Sequence, residues 1–212
     1  MSTRGRFITL EGGEGAGKST HAAGLAGWLR ARGHDVIETR EPGGTTGGEA
    51  IRDLLLGGAG DRWSAEAEAL LFAAARAEHV GRLIRPALEA GKWVICDRFL
   101  DSSLAYQGAA GGLGVEAVRR ANLLALDGLL PDLTLLLQVP PREGQARTPK
   151  RDRDRSDRIA ARDTDYHSQV AGAFDALASA EPERIVRVDA SGDVATVTAR
   201  IEAAVTRRLP CA

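Results

Sequence analysis

Five short apolar runs recur along the chain, and between them lie longer stretches in which apolar positions return every three or four residues. The runs cover residues 7–10, 36–39, 93–96, 133–138 and 185–188, and their length and content read as strands. The helical spacing covers residues 19–30, 49–56, 65–90, 115–126, 157–180 and 194–208. Strands that are apolar on both faces and alternate with helices need cover on both sides. The expected fold class is therefore α/β, a doubly wound parallel five-stranded sheet with helices on both faces. The 212 residues carry no internal repeat and no long linker, which predicts one domain spanning 1–212.

One segment breaks the pattern. Residues 142–162 are dense in charge, mostly Arg interspersed with Asp, and include Thr148 and Pro149. Such a stretch reads as a surface flap rather than a core element, the plainer alternative being a solvated loop that runs into a helix.

Charge and composition narrow the partners. A formal net charge of −1 gives no global attraction to nucleic acid or to an anionic membrane, so phosphate binding has to come from local clusters. The apolar run 7–10 is far too short for a signal peptide or a membrane span. Cys96 and Cys211 cannot make a disulfide framework, and a reduced, cytoplasmic setting is expected.

The strongest chemical signal is Gly12-Gly13-Glu14-Gly15-Ala16-Gly17-Lys18-Ser19, which fits the phosphate-loop pattern G-x-x-x-x-G-K-[ST] between a strand and a helix. Its glycines let successive N–H groups converge on a phosphate, and the helix that opens at Ser19 adds a favourable dipole. Lys18 is expected on the β- and γ-phosphates, and Ser19 and Asp97 on Mg²⁺. Asp97 follows the third apolar run at the same sheet edge; a cap for the next helix is the plainer reading of it. Of the 28 basic residues only Lys18, Lys92 and Lys150 are lysines, so an Arg-rich chain keeps a compact ammonium in the loop.

A phosphate loop alone does not separate switches, motors and kinases. A guanine-reading Asn-Lys-x-Asp motif is missing, since the one Asn is Asn122 in an Arg-Ala-Asn-Leu context. Phe72 and Arg76 lie one turn apart on one helix face, where a ring and a guanidinium suit a planar base, although core packing also explains Phe72. Ser102, Ser103, Tyr106 and Gln107 form a second polar cluster just after Asp97-Arg98.

Together these blocks resemble bacterial thymidylate kinases. The matching stretches are Ile8 to Thr20, Thr39-Arg40-Glu41-Pro42-Gly43-Gly44-Thr45, Leu71 to Arg76, Asp97-Arg98-Phe99, Ser102 to Gly108 and Asp157-Arg158-Ile159, in order over almost the whole chain. The resemblance implies Mg²⁺-dependent transfer of the ATP γ-phosphate to dTMP. It implies an ATP site from Gly12, Gly13, Glu14, Gly15, Ala16, Gly17, Lys18, Ser19 and Thr20. It places Arg98 on the dTMP phosphate, Phe72 and Arg76 on thymine, and Ser102, Ser103 and Gln107 around the acceptor. Tyr106 would crowd the sugar 2′ position, Glu14 would face its 3′-hydroxyl, and Arg40 and Pro42 would form the wall. With no Arg inside the phosphate loop, catalytic charge is expected from a lid at about 142–160, from Arg147, Arg151, Arg153, Arg155 or Arg158. Here Thr148-Pro149-Lys150 and Ala160 depart from the family pattern. A homodimer built on the helix over 65–90 is also implied. Two other readings stay open on the residues alone: a kinase for dUMP, UMP or AMP, and an ATP-gated partitioning protein.

Overall fold

The computed structural model describes residues 4–59, 61–139 and 158–210. Five parallel strands form one sheet in the order β2-β3-β1-β4-β5. They are β1 (Phe7–Glu11), β2 (Val36–Arg40), β3 (Trp93–Asp97), β4 (Leu133–Gln138) and β5 (Ile185–Asp189). Alternate side chains of the central strands enter two separate cores. Ile8, Leu10, Ile95, Leu133, Leu135 and Leu137 pack against α1 (Lys18–Arg30) and α9 (Val194–Arg208). Phe7, Val94, Cys96 and Leu136 face the remaining helices on the other side. That arrangement is the doubly wound α/β sheet expected from the apolar pattern.

The register explains where chemistry collects. Leu10 pairs with Asp97, Arg40 with Asp97, Glu11 with Leu136 and Gln138 with Asp189, so polar residues from every strand line one edge. This is the carboxyl edge of the sheet, where open α/β folds bind ligands at the point of reversed strand order.

On the second face lie α2 (Thr46–Leu56), α3 (Ala65–His79), α4 (Arg85–Glu89), α5 (Leu100–Ser103), α6 (Val115–Ala121), α7 (Leu123–Leu126) and α8 (Thr164–Ala180). The single helix predicted over 65–90 is interrupted by a π-helical turn, Val80–Ile84. Pro86 lacks an N–H and crowds the carbonyl four residues back, and the wider turn ahead of it makes room. A second π-helical stretch, Leu104–Ala110, continues α5. The helix predicted over 115–126 breaks at Asn122, whose side-chain amide donates back to Val118 O at 2.8 Å. The last long helix of this face starts at Thr164 rather than 157, because Asp163 caps it by accepting from Tyr166 N at 2.8 Å. Among the described residues no helix is long and apolar enough to cross a membrane.

Candidate active site

Residues 12–17 curl between β1 and α1, with Gly12, Gly15 and Gly17 at φ of 138°, 72° and 80°. Gly12 is constrained twice, since a Cβ there would also sit 2.4 Å from Leu137 O of the neighbouring strand. Lys18 opens α1, and its Nζ donates to Gly13 O at 2.7 Å, inside the loop. Burial, with the nearby Arg98 charge, pulls its ammonium down to about 8, since a cation is held there away from water.

Beside it, Ser19 Oγ donates to Asp97 Oδ2 at 2.5 Å. Asp97 Oδ1 is buried and has no hydrogen-bond partner among the described residues. A hydroxyl and a carboxylate with an unused buried oxygen, at the mouth of a phosphate loop, fit Mg²⁺. That ion takes few protein ligands and fills its shell with phosphate oxygens and water.

Arg98 follows directly, at φ 68°. A left-handed conformation costs an L-residue about 1–2 kcal/mol, and several bonds hold it. Its backbone N–H reaches Leu10 O at 3.0 Å. Nη1 donates to Gly12 O and to Ser102 Oγ, both at 3.1 Å, and Nη2 donates to Glu14 Oε1 at 2.5 Å. The guanidinium also lies 5.1 Å from the Tyr106 ring, and the Tyr106 hydroxyl donates to Glu14 at 3.4 Å. Arg98 drives the Glu14 carboxyl down to about 2, so the pair is ionised at any working pH. Behind Arg98, Glu11 accepts from Phe99 N, Ser102 N and Ser102 Oγ at 2.8, 3.2 and 2.6 Å. Burial, with a push from Asp101, raises the Glu11 carboxyl to about 7.

A second guanidinium forms the far wall. Arg76 is 1% exposed. Its Nε donates to Glu41 Oε2 at 2.9 Å, Nη1 to Asn122 Oδ1 at 2.5 Å and Nη2 to Ser103 Oγ at 3.1 Å. The Phe99 ring lies 5.1 Å from it. His79, wholly buried, sits between Glu41 Oε1 (3.1 Å) and Thr39 Oγ1 (2.8 Å). Arg40 is exposed and pairs with Glu49 at 3.0 Å, while Pro42 is buried and its carbonyl accepts from Arg52 at 2.7 Å. Gln107 donates to Glu68 at 2.9 Å.

One cavity of about 2000 Å³ joins these groups. It runs from the loop and Thr20 past Asp97, Arg98, Ser102 and Tyr106 to Arg40, Pro42, Phe72, Arg76, Ser103 and Gln107. In the other direction it reaches Gln138, Val139, Gly192, Asp193, Val194 and Val197. Pockets for one small ligand run to roughly 1,000 Å³, so this volume suits two nucleotides end to end.

Residues 10–201 match the thymidylate kinase family model. The thymidylate kinase of Rhizorhabdus wittichii is 59% identical over 206 residues, covering 97% of this chain and 99% of that protein. The chain belongs to the thymidylate kinase family. A relative from Synechococcus sp. (strain JA-2-3B'a(2-13)), also named thymidylate kinase, is 52% identical and covers 97% of each chain. The crystal structure of thymidylate kinase from Ehrlichia chaffeensis superposes with a TM-score of 0.77 at 31% identity, covering 96% of this chain and 99% of that one.

Set in a thymidylate kinase fold, one predicted residue stands elsewhere than expected. Arg158, grouped by sequence with the catalytic lid arginines, does not line the cavity. Its Nη2 donates to Glu68 Oε2 at 2.6 Å and its Nε to Leu55 O at 2.7 Å. The buried Glu68 carboxylate captures it, together with Arg162 at 3.0 Å. In this structure Arg158 thus anchors the turn that precedes α8, and not the cavity wall where its grouping with the lid arginines would put it. Arg147, Arg151, Arg153 and Arg155 lie outside the described residues. Breaking a buried ion pair from one side typically costs about 3–5 kcal/mol. Glu68→Ala is accordingly expected to destabilise the chain by about 3 kcal/mol in urea unfolding. A change below about 1 kcal/mol would mean that the three partners rearrange freely.

Sequence reasoning missed Glu11, Glu41, Glu68, His79 and Asn122 as site builders. Glu41 and Glu11 stood inside the matched blocks, unassigned. Glu68, Phe72 and Arg76 share a spacing of four, so one helix face carried a readable signal. For Asn122 and His79 no local signal existed.

Proposed function

We propose that the chain transfers the γ-phosphoryl group of ATP to the 5′-phosphate of dTMP, releasing ADP and dTDP. The observation that carries this reading is the single cavity joining the phosphate loop to the Arg98–Tyr106 and Phe72–Arg76 clusters. In the reaction the bond between the γ-phosphorus and the β,γ-bridging oxygen breaks, and one forms to an oxygen of dTMP. That oxygen is already anionic, so no general base is needed, and the work is charge neutralisation and alignment.

In this reading the loop amides and Lys18 hold the triphosphate, and Ser19 and Asp97 hold Mg²⁺. The ion, when bound, offsets charge on the β- and γ-phosphate oxygens. Arg98 holds the acceptor phosphate, and Glu14, which now occupies its Nη2, turns to the sugar 3′-hydroxyl when that phosphate arrives. Phe72 stacks on thymine, with Arg76 at its edge oriented by Glu41, Ser103 and Asn122. Gly192, Val194 and Val139 suit the adenine end. Arginines from the lid at about 142–160 complete the charge, within a single domain. A homodimer in the cytoplasm goes with this reading, supported by the exposed Leu70, Leu123 and Leu124 on adjoining helices. Sedimentation at micromolar concentration tests the dimer.

Coupled ADP release with ATP, Mg²⁺ and each of dTMP, dUMP, UMP and AMP tests the activity. Turnover is expected to be fastest with dTMP; equal rates on all four would reject the assignment. Tyr106 gives a sharper test of specificity. Tyr106→Ala is expected to lower the ratio of kcat/KM for dTMP over its ribonucleotide counterpart about tenfold, because the ring no longer fills the 2′ position. An unchanged ratio would remove Tyr106 as the sugar gate.

A further inference from the structure

Arg98 is one of two non-glycine residues at positive φ among the described residues, so something must hold its backbone there. The hydrogen bonds trace the hold to Glu11, the last residue of β1. Glu11 is fully buried and does not line the cavity, so no substrate reaches it. Its Oε1 accepts the N–H of Phe99 at 2.8 Å and of Ser102 at 3.2 Å, fixing the backbone that leaves Arg98. Its Oε2 accepts the Ser102 hydroxyl proton at 2.6 Å. With its proton committed to Glu11, Ser102 Oγ turns a lone pair toward Arg98 Nη1 at 3.1 Å. Above about pH 7, where Glu11 is ionised, the order of donors is thus Arg98 to Ser102 to Glu11, ending on a group that can only accept.

We infer that Glu11 is a positioning residue for the acceptor phosphate, acting through the Ser102 hydroxyl to orient the Arg98 guanidinium. This rests on the reading of Arg98 as the clamp on the dTMP phosphate. A bare charge effect has the opposite sign: an anion behind the phosphate site repels phosphate, so neutralising it would tighten binding. Geometry and charge are therefore separable. Glu11→Gln keeps size and an acceptor for the two amides but presents an NH₂ to Ser102. The hydroxyl proton no longer has an acceptor at position 11 and competes for the side facing Arg98, so Nη1 keeps Gly12 O but its bond to Ser102 Oγ weakens.

The test is calorimetric titration at about pH 8, where Glu11 is ionised, of dTMP and of thymidine, which lacks the phosphate, into wild type, Glu11→Gln, Ser102→Ala and Arg98→Ala. Losing one charge-assisted hydrogen bond is worth about tenfold. Both Glu11→Gln and Ser102→Ala are expected to weaken dTMP about tenfold and leave thymidine within about twofold. Adding Glu11→Gln to Arg98→Ala should produce no further loss. Equal or tighter dTMP binding in Glu11→Gln, or equal losses of dTMP and thymidine, would overturn the inference. Ser102→Ala, which leaves the buried carboxylate in place, carries the test if the Glu11 variant fails to fold. If Arg98→Ala leaves the preference for dTMP over thymidine intact, the clamp assignment itself fails and this inference with it. If only Arg98→Ala abolishes that preference, the clamp stands and the role of Glu11 falls.

Discussion

Replacing Arg98 by alanine is expected to lower kcat/KM for dTMP by about a hundredfold or more, roughly 3 kcal/mol of transition-state stabilisation. Two anions that repel each other must meet in this cavity, and Arg98 is the guanidinium seated between the phosphate loop and the acceptor cluster. Its guanidinium touches the loop at Gly12 O and Glu14 and the acceptor cluster at Ser102 Oγ, so one side chain spans both halves of the site. The loss should fall on kcat as well as on the KM for dTMP, while the KM for ATP changes little, since Lys18 and the loop amides stay in place. Lysine is a poor substitute, because a point charge cannot face Gly12, Ser102 and Glu14 together as a planar fork does. Steady-state rates with each substrate varied in turn would check this. Near-normal turnover in Arg98→Ala would reject Arg98 as a catalytic group.

How the strands end shows what the sequence could and could not disclose. Apolar pattern stopped four of them at Leu10, Thr39, Cys96 and Val188, whereas the ladders run one residue further, to Glu11, Arg40, Asp97 and Asp189. A strand ends where its backbone hydrogen bonds end, and burial of the side chain does not decide that. The extra residues are the polar ones at the carboxyl edge, so apolar periodicity is blind at the point where the site begins. Motif spacing supplied part of what was missing: Lys18, Ser19, Asp97, Arg98, Phe72, Arg76 and Tyr106 all line one cavity.

What motifs do not carry is the set of groups that hold those side chains. Glu41 reaches Arg76 across 35 residues of sequence and Glu68 reaches Arg158 across 90. No local pattern encodes such pairings; they follow from how α2, α3 and the turn before α8 pack. The charge-dense segment shows the same limit from the other side. Its arginines look alike in sequence, and nothing in that pattern marks Arg158 and Arg162 as the two that the buried carboxylate of Glu68 holds. Asn122 entered first as an argument against guanine binding. In the fold it breaks a helix and accepts from Arg76.

The second large effect is expected at Lys18, where activity and stability should move in opposite directions. Lys18→Met removes the cation nearest the transferring phosphate and should lower kcat by about a thousandfold, the upper range for losing one preorganised electrostatic group. The same change replaces a buried ammonium by an apolar chain of similar length. In the free protein that ammonium is held by Gly13 O, and burial works against its charged form. Removing it takes away a desolvation penalty that only a bound triphosphate offsets, so Tm without nucleotide should stay level or rise. ATP should then stabilise the variant far less than wild type, since binding energy appears as added stability. Binding of dTMP should persist, because Arg98, Phe72 and Arg76 are untouched. Melting curves without ligand, with MgATP and with dTMP, alongside turnover, check all four parts. A variant that lost activity and unfolded early would show Lys18 to be a structural cation, and one that kept turnover within about tenfold would remove it from the phosphoryl-transfer machinery.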